Sequence, residues 1–174
     1  MKGTIVIIRT YRRPALLLAF LLAMLTTAVH AGPNDAPFRA TLTVQETIAE
    51  DASCPSGLGG TLIGSGTATH LGAVTISSRH CATPTGRGSV AISPGVITVT
   101  AANGDLLIAD FMGTISPFPG DLQTNTFVGS FLITGGTGRF ANAEGDGLLS
   151  GALSGSLLTR VFKGALTAEG RIGY

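Results

Sequence analysis

The sequence predicts an all-β protein: an eight-stranded antiparallel β-barrel preceded by a cleaved signal peptide. Three observations predict it. Segments that alternate apolar and polar residues recur from residue 38 onward, separated by clusters of Gly, Pro, Ser and Asn. No segment carries the apolar spacing of a helix longer than a turn or two. Glycines fall inside the strand-like segments, at Gly64, Gly66, Gly129, Gly151 and Gly155, where they mark sharp coiling or close backbone approach and suit a small closed barrel. Gly makes up 25 of 174 residues, and the hydrophobic content of 44% argues against a disordered chain.

The elements follow in chain order. Residues 1–31 read as the signal peptide. Lys2, Arg9, Arg12 and Arg13 form its basic start, and Ala15 to Leu25 is an apolar run of 11 residues. Val29-His30-Ala31 places small residues at the −3 and −1 positions for cleavage after Ala31. The run is too short to span a bilayer, which takes about 20 residues. Residues 32–37 form a short polar lead, and residues 38–174 form one barrel domain. Phe38–Ile48 is a half-buried strand, with Phe38, Ala40, Leu42, Val44 and Ile48 on one face. A loop from Asp51 to Gly60 leads to two strands, Thr61–His70 and Ala73–Cys81. Ala82 to Gly88 reads as a further loop. Val96–Ala101 and Leu106–Ile115 form a hairpin around Asn103-Gly104, a favourable turn pair. Pro117 to Gly120 breaks the chain. Thr124–Thr134 follows, with Phe127, Phe131 and Ile133 on one face, then a glycine turn from Gly135 with one helical turn near Arg139–Ala143. Gly147–Leu153 and Ser156–Ala168 close the chain. Val96–Ala101 and Leu106–Phe111 are apolar on both faces, so their outer side is expected to meet a partner subunit or a covering segment.

Charge and cysteine content narrow the function classes. Cleavage after Ala31 leaves 143 residues with a net charge of −3, so the basic footprint of a nucleic-acid-binding protein is missing. No later apolar run is long enough for a membrane span. Cys54 and Cys81, an even count in an exported chain, point to one disulfide closing a 28-residue loop. A metal site built from Cys54, His80 and Cys81 is disfavoured by the adjacency of His80 and Cys81, so no metal is expected. The segment Phe131 to Ala141 mimics a dinucleotide-binding glycine loop. Only 33 residues follow it, with no amphipathic helix and no acidic residue at the required distance. Its glycines are better explained by a turn that needs positive φ angles. Glu144-Gly145-Asp146-Gly147 lacks the ligand ladder of a calcium loop.

The turn also carries a resemblance. Gly135-Gly136-Thr137-Gly138-Arg139-Phe140, followed by Ala143 and Gly145, closely resembles a glycine motif of dirigent proteins and allene oxide cyclase-like barrels. Thr69-His70-Leu71-Gly72 and the Ala102-Asn103-Gly104-Asp105 hairpin are similar to stretches in bacterial secreted members. The resemblance covers most of residues 38–168. It implies an eight-stranded antiparallel barrel with an interior cavity, often assembled as a homotrimer. It also implies chemistry without a cofactor, in which the barrel holds a reactive ligand in a defined pose. Plant members cyclise an epoxide fatty acid or guide the radical coupling of phenols.

Candidate site residues come from polar side chains on apolar faces. Glu46 shares its parity with Phe38, Leu42, Val44 and Ile48, and Asp110 with Leu106, Ile108 and Met112. A carboxylate facing a barrel interior needs a partner. It serves as an acid–base group, as an anchor for a ligand hydroxyl, or in a structural pair with Arg139 or Arg79. Leu42, Val44, Phe127 and Phe131 are the expected cavity lining. Gly135, Gly136, Gly138 and Arg139 are expected to structure the turn. His70 and His80 fall at predicted strand ends. The leading expectation is an exported barrel that binds a small apolar or amphipathic molecule. The rivals are a cofactor-free cyclase or isomerase using Glu46 or Asp110, and a purely structural or interaction barrel.

Overall fold

The computed structural model describes residues 35–119, 121–156 and 159–174. The signal-peptide and cleavage expectations lie outside the described residues. Eight strands occur in chain order: β1 (Ala36–Glu50), β2 (Leu58–Ala68), β3 (Gly72–Gly86), β4 (Ser89–Ala101), β5 (Leu106–Phe118), β6 (Asp121–Gly136), β7 (Gly145–Ser156) and β8 (Val161–Ile172). Each pairs with its neighbours in sequence, and β1 pairs with β8, so the antiparallel sheet closes on itself. At the seam, Leu42 of β1 sits opposite Gly66 of β2 on one side and Leu166 of β8 on the other. Closure removes the unpaired strand edges that an open sheet exposes to aggregation.

The alternation read in the sequence sets the inner wall of β1. Phe38, Leu42, Val44 and Glu46 are buried there, while Arg39, Thr41, Thr43 and Thr47 are exposed. Several strands run longer than their sequence signals. β3 continues through Pro84 to Gly86, and β4 begins at Ser89, so the expected loop from Ala82 to Gly88 shrinks to two residues. Pro84 is tolerated because the pairing there is irregular, with register shifts at His80/Ala82 and Pro84/Gly86. β5 likewise runs to Phe118, and β8 starts at Val161, with Ser156 ending β7. Strand ladders formed with a neighbour override local turn propensity at these ends.

One end of the barrel is stoppered. The expected helical turn is a single 3-10 turn, η1 (Gly138–Phe140), which buries Phe140 in the same core cluster as Leu71 and Ile172, with its ring 5.1 Å from that of Tyr174. Thr137 Oγ1 accepts the Leu106 backbone N–H at 2.8 Å and ties this turn to the start of β5. At the other end, the loop between β1 and β2 is joined to β3 by the Cys54–Cys81 disulfide.

Candidate functional site

The interior is apolar except for one cluster. Glu46 on β1 and Ser78 and His80 on β3 are the buried polar side chains among the described residues, with exposures of 2%, 4% and 7%. Glu46 Oε1 lies 3.2 Å from His80 Nε2. The two residues belong to strands separated by β2, so their backbones stand roughly 10 Å apart at the usual spacing of about 4.8 Å per strand. They meet because Gly60 is the residue between them. It pairs with Ile48 on one side and His80 on the other, and a Cβ there would collide with both His80 Nε2 and Glu46 Oε1. The missing side chain of one glycine therefore permits the carboxylate–imidazole contact.

The contact does not satisfy the cluster. The 3.2 Å approach is an ion-pair distance without hydrogen-bond geometry. Glu46 Oε1, Ser78 Oγ and both nitrogens of His80 have no hydrogen-bond partner. Buried polar atoms in native proteins are nearly always bonded, and each one left unbonded costs about 1–3 kcal/mol. The Phe111 ring meets the imidazole edge-on, at 5.6 Å between centroids and 78° between planes, and closes its apolar side.

A cavity of about 40 Å³ lies below the cluster. Phe38, Leu42, Ile76, Ile97, Phe131 and Ile133 are among its walls, which carry no polar group. Ile97 is the cross-strand partner of Ser78, so the cavity and the polar cluster occupy adjoining layers of the same interior. The cavity walls are wholly apolar, and the polar cluster sits in the next layer of the interior, outside that lining.

The expected site residues fall into three groups. Glu46 faces inward, as its parity required. Its partner is His80, rather than Arg79 or Arg139. Leu42 and Phe131 line the 40 Å³ cavity; Val44 and Phe127 are buried but do not line that cavity. Asp110 does not share the interior with Glu46. It is exposed on the outer wall opposite Val96, because β5 turns Leu107 and Ala109 inward instead of Leu106 and Ile108. The sequence of β5 is apolar on both parities, so the choice of inner face rested on pairing with β4 and β6.

The turn residues behave structurally. Gly138 has φ +55°, and a Cβ on it would meet the Asp105 carboxylate, so a side chain there is strained and forces that carboxylate to move. Gly135 has φ +139°, and a Cβ on Gly136 would collide with the Leu106 carbonyl oxygen. Arg139 stacks over Phe140 at 4.8 Å and donates to the His70 carbonyl oxygen. His70 lies in the turn after β2, with Nε2 3.1 Å from the Pro37 carbonyl oxygen. Both residues hold the stoppered end together, whereas Glu46 and His80 lie toward the opposite end of the barrel. Sequence reading missed Ser78 and His80 as site residues. The signal that could have found them is their shared parity with Val74 and Ile76 on one strand.

These features define a closed eight-stranded antiparallel β-barrel with a polar cluster inside an apolar interior. No protein-family model matches the chain, and no curated protein matches it. Among solved structures, the pterocarpan synthase dirigent protein GePTS1 is similar at a TM-score of 0.45 and 12% identity, over 82% of this chain and 88% of that one.

Proposed function

We propose that this barrel binds a small, predominantly apolar molecule bearing one hydroxyl or carbonyl group. The observation that carries the reading is the set of buried, unbonded polar atoms on Glu46, Ser78 and His80 beside an apolar cavity. A guest with an apolar body and one polar end would fill both. The cavity volume favours a guest of only a few heavy atoms. The glycine motif and the eight-strand closure support placing the chain among dirigent and allene oxide cyclase-like barrels.

The test compares 1-butanol with pentane, its apolar isostere, by titration into the folded protein while following the methyl resonances of Leu42, Ile97 and Ile133. The alcohol should bind about tenfold more tightly, the size of one hydrogen bond to a buried polar partner. The preference should vanish in Glu46→Gln/His80→Phe. Equal affinity, or no binding of either, would turn the reading to a structural barrel.

A second reading rests on the 3.2 Å carboxylate–imidazole contact. Two titratable groups held together in an apolar interior form a general acid–base pair of the kind that isomerises a carbonyl compound through its enol. Incubation with butanone in D2O tests it. Deuterium should enter the carbons beside the carbonyl faster than in Glu46→Gln, and equal rates would dismiss catalysis.

Export belongs to the same proposal. The leader-like pattern of residues 1–31 supports it, as does a disulfide, which persists in oxidising compartments. Among the described residues no helix is long and apolar enough to cross a membrane. N-terminal sequencing of the exported protein should begin at Gly32.

Self-association rests on the outer wall. Val96, Met112, Val128, Leu132 and Leu148 are exposed across β4 to β7. The homotrimer implied by the resemblance would cover this face. Sedimentation velocity should find a trimer that Met112→Lys/Leu132→Lys dissociates. A monomeric parent would overturn the assembly and leave the interior site untouched.

A further inference from the structure

The wall segment that aims His80 at Glu46 is poorly held on one side. His80 pairs with Gly95 of β4 and Ala82 with Ile92, so Cys81 alone faces the two residues Ser93 and Pro94. The register shifts there, and Pro94 has no N–H to donate to the ladder. On the other side, β2 pairs regularly, Gly60 with His80 and Gly59 with Cys81.

A strap replaces what β4 does not provide. The 51–57 loop leaves β1 a few residues after Glu46 and folds back over the outside of the wall. A Cβ on Gly59, the partner of Cys81, would come within 2.8 Å of Asp51 Cβ, so the loop lies directly on the sheet. Cys54 of this loop forms the disulfide with Cys81, the residue next to His80. Ser56 Oγ donates to the carbonyl oxygen of Ala82 at 2.7 Å, one residue further along. His80, Cys81 and Ala82 are consequently buried in succession, with Cys81 covered from outside and its neighbours facing in. The strap thus grips β3 at two consecutive residues immediately behind the imidazole.

We infer that the Cys54–Cys81 strap is a positioning element of the interior site, holding His80 against Glu46 from outside the barrel wall. The inference rests on the Glu46–His80 pair as the ligand-contacting group. A disulfide that only restrained the unfolded chain could join any two surface points. This one joins the loop that leaves the carboxylate-bearing strand to the residue beside the histidine, where the ladder is interrupted.

The experiment is a double-mutant cycle that needs no ligand. The His80 ring resonances are recorded in the parent, Glu46→Gln, Cys54→Ser/Cys81→Ser, and the combination. In the parent background, Glu46→Gln should displace the His80 ring resonances. In the strap-free background the same change should produce less than half that displacement. An equal displacement in both backgrounds would overturn the inference. If Cys54→Ser/Cys81→Ser does not fold, Ser56→Ala takes its place, since it keeps the disulfide and removes one grip. A partial loss of the displacement is then expected, and an unchanged displacement overturns the inference. The 1-butanol preference over pentane adds a second readout, expected to fall from about tenfold to below about threefold without the strap. If the parent itself shows no alcohol preference, the binding reading fails alone, because the resonance cycle still decides whether the strap positions His80.

Discussion

Gly60 is the residue on which the site turns. Its missing side chain lets groups from β1 and β3 meet across β2. Gly60→Ala should therefore separate the pair and destabilise the fold by about 1–3 kcal/mol, the usual cost of overpacking a filled interior. Urea unfolding measures the cost, and a change within error would show that the wall yields freely there. A second residue sets an acid-dependent effect. The Asp51 carboxyl is held below its ordinary range chiefly by the hydrogen bonds from Ser53 Oγ at 2.6 Å and Ser53 N–H at 2.9 Å, with desolvation opposing them and the Arg79 charge adding a smaller lowering. A carboxyl whose folded value is depressed contributes stability above the unfolded value of about 3.9, and loses it as pH falls through the folded value. The parent should therefore lose stability more steeply below about pH 4 than Asp51→Asn does. Urea midpoints at neutral and acid pH compare the two, and parallel slopes would remove this role for Asp51. Glu46 illustrates how much of the site was legible: its inward parity follows from Phe38, Leu42 and Val44 alone. Its partner was not legible, because His80 read as a strand end.

At the scale of elements, the 51–57 loop and its disulfide do the most to shape the site end of the barrel. Reduction should lower stability by about 2–4 kcal/mol, since the bridge closes a loop of moderate length in the unfolded chain. Denaturant unfolding with and without reductant checks it. Non-reducing peptide mapping should recover Cys54 and Cys81 in one linked peptide pair, and two free thiols would refute the bridge. The strands themselves show where local reading succeeds and fails. β1 alternates cleanly and faces as expected. β5 is apolar on both parities, so its own sequence does not select an inner face, and Asp110 falls on the outer wall. The extension of β3 through Pro84 hid His80 in mid-strand, because proline read as a break where an irregular ladder accommodates it.

At the scale of the molecule, the barrel is closed and chemically two-sided. Its outer wall over β1 to β3 is rich in Ser and Thr, while β4 to β7 expose large apolar side chains, Leu148 at 68% and Val128 at 65%. Closure predicts that no strand frays as an edge. Peptides from β1 and β8, the first and last strands among the described residues, should exchange backbone hydrogens as slowly as those from β4 and β5. Markedly faster exchange at the β1–β8 seam would mean that the barrel opens there.

The sequence by itself determined the local features: the strand count, the paired cysteines, the glycine turn with its positive φ angles, and the inner face of β1. Each depends on alternation or backbone conformation within a few residues, which composition and spacing encode directly. Only the tertiary structure decided which wall of β5 faces inward, that β2 leaves a gap at Gly60, and that His80 fills it. Those outcomes depend on the register of strands distant in sequence, and a contact across an intervening strand exists only once the sheet has closed.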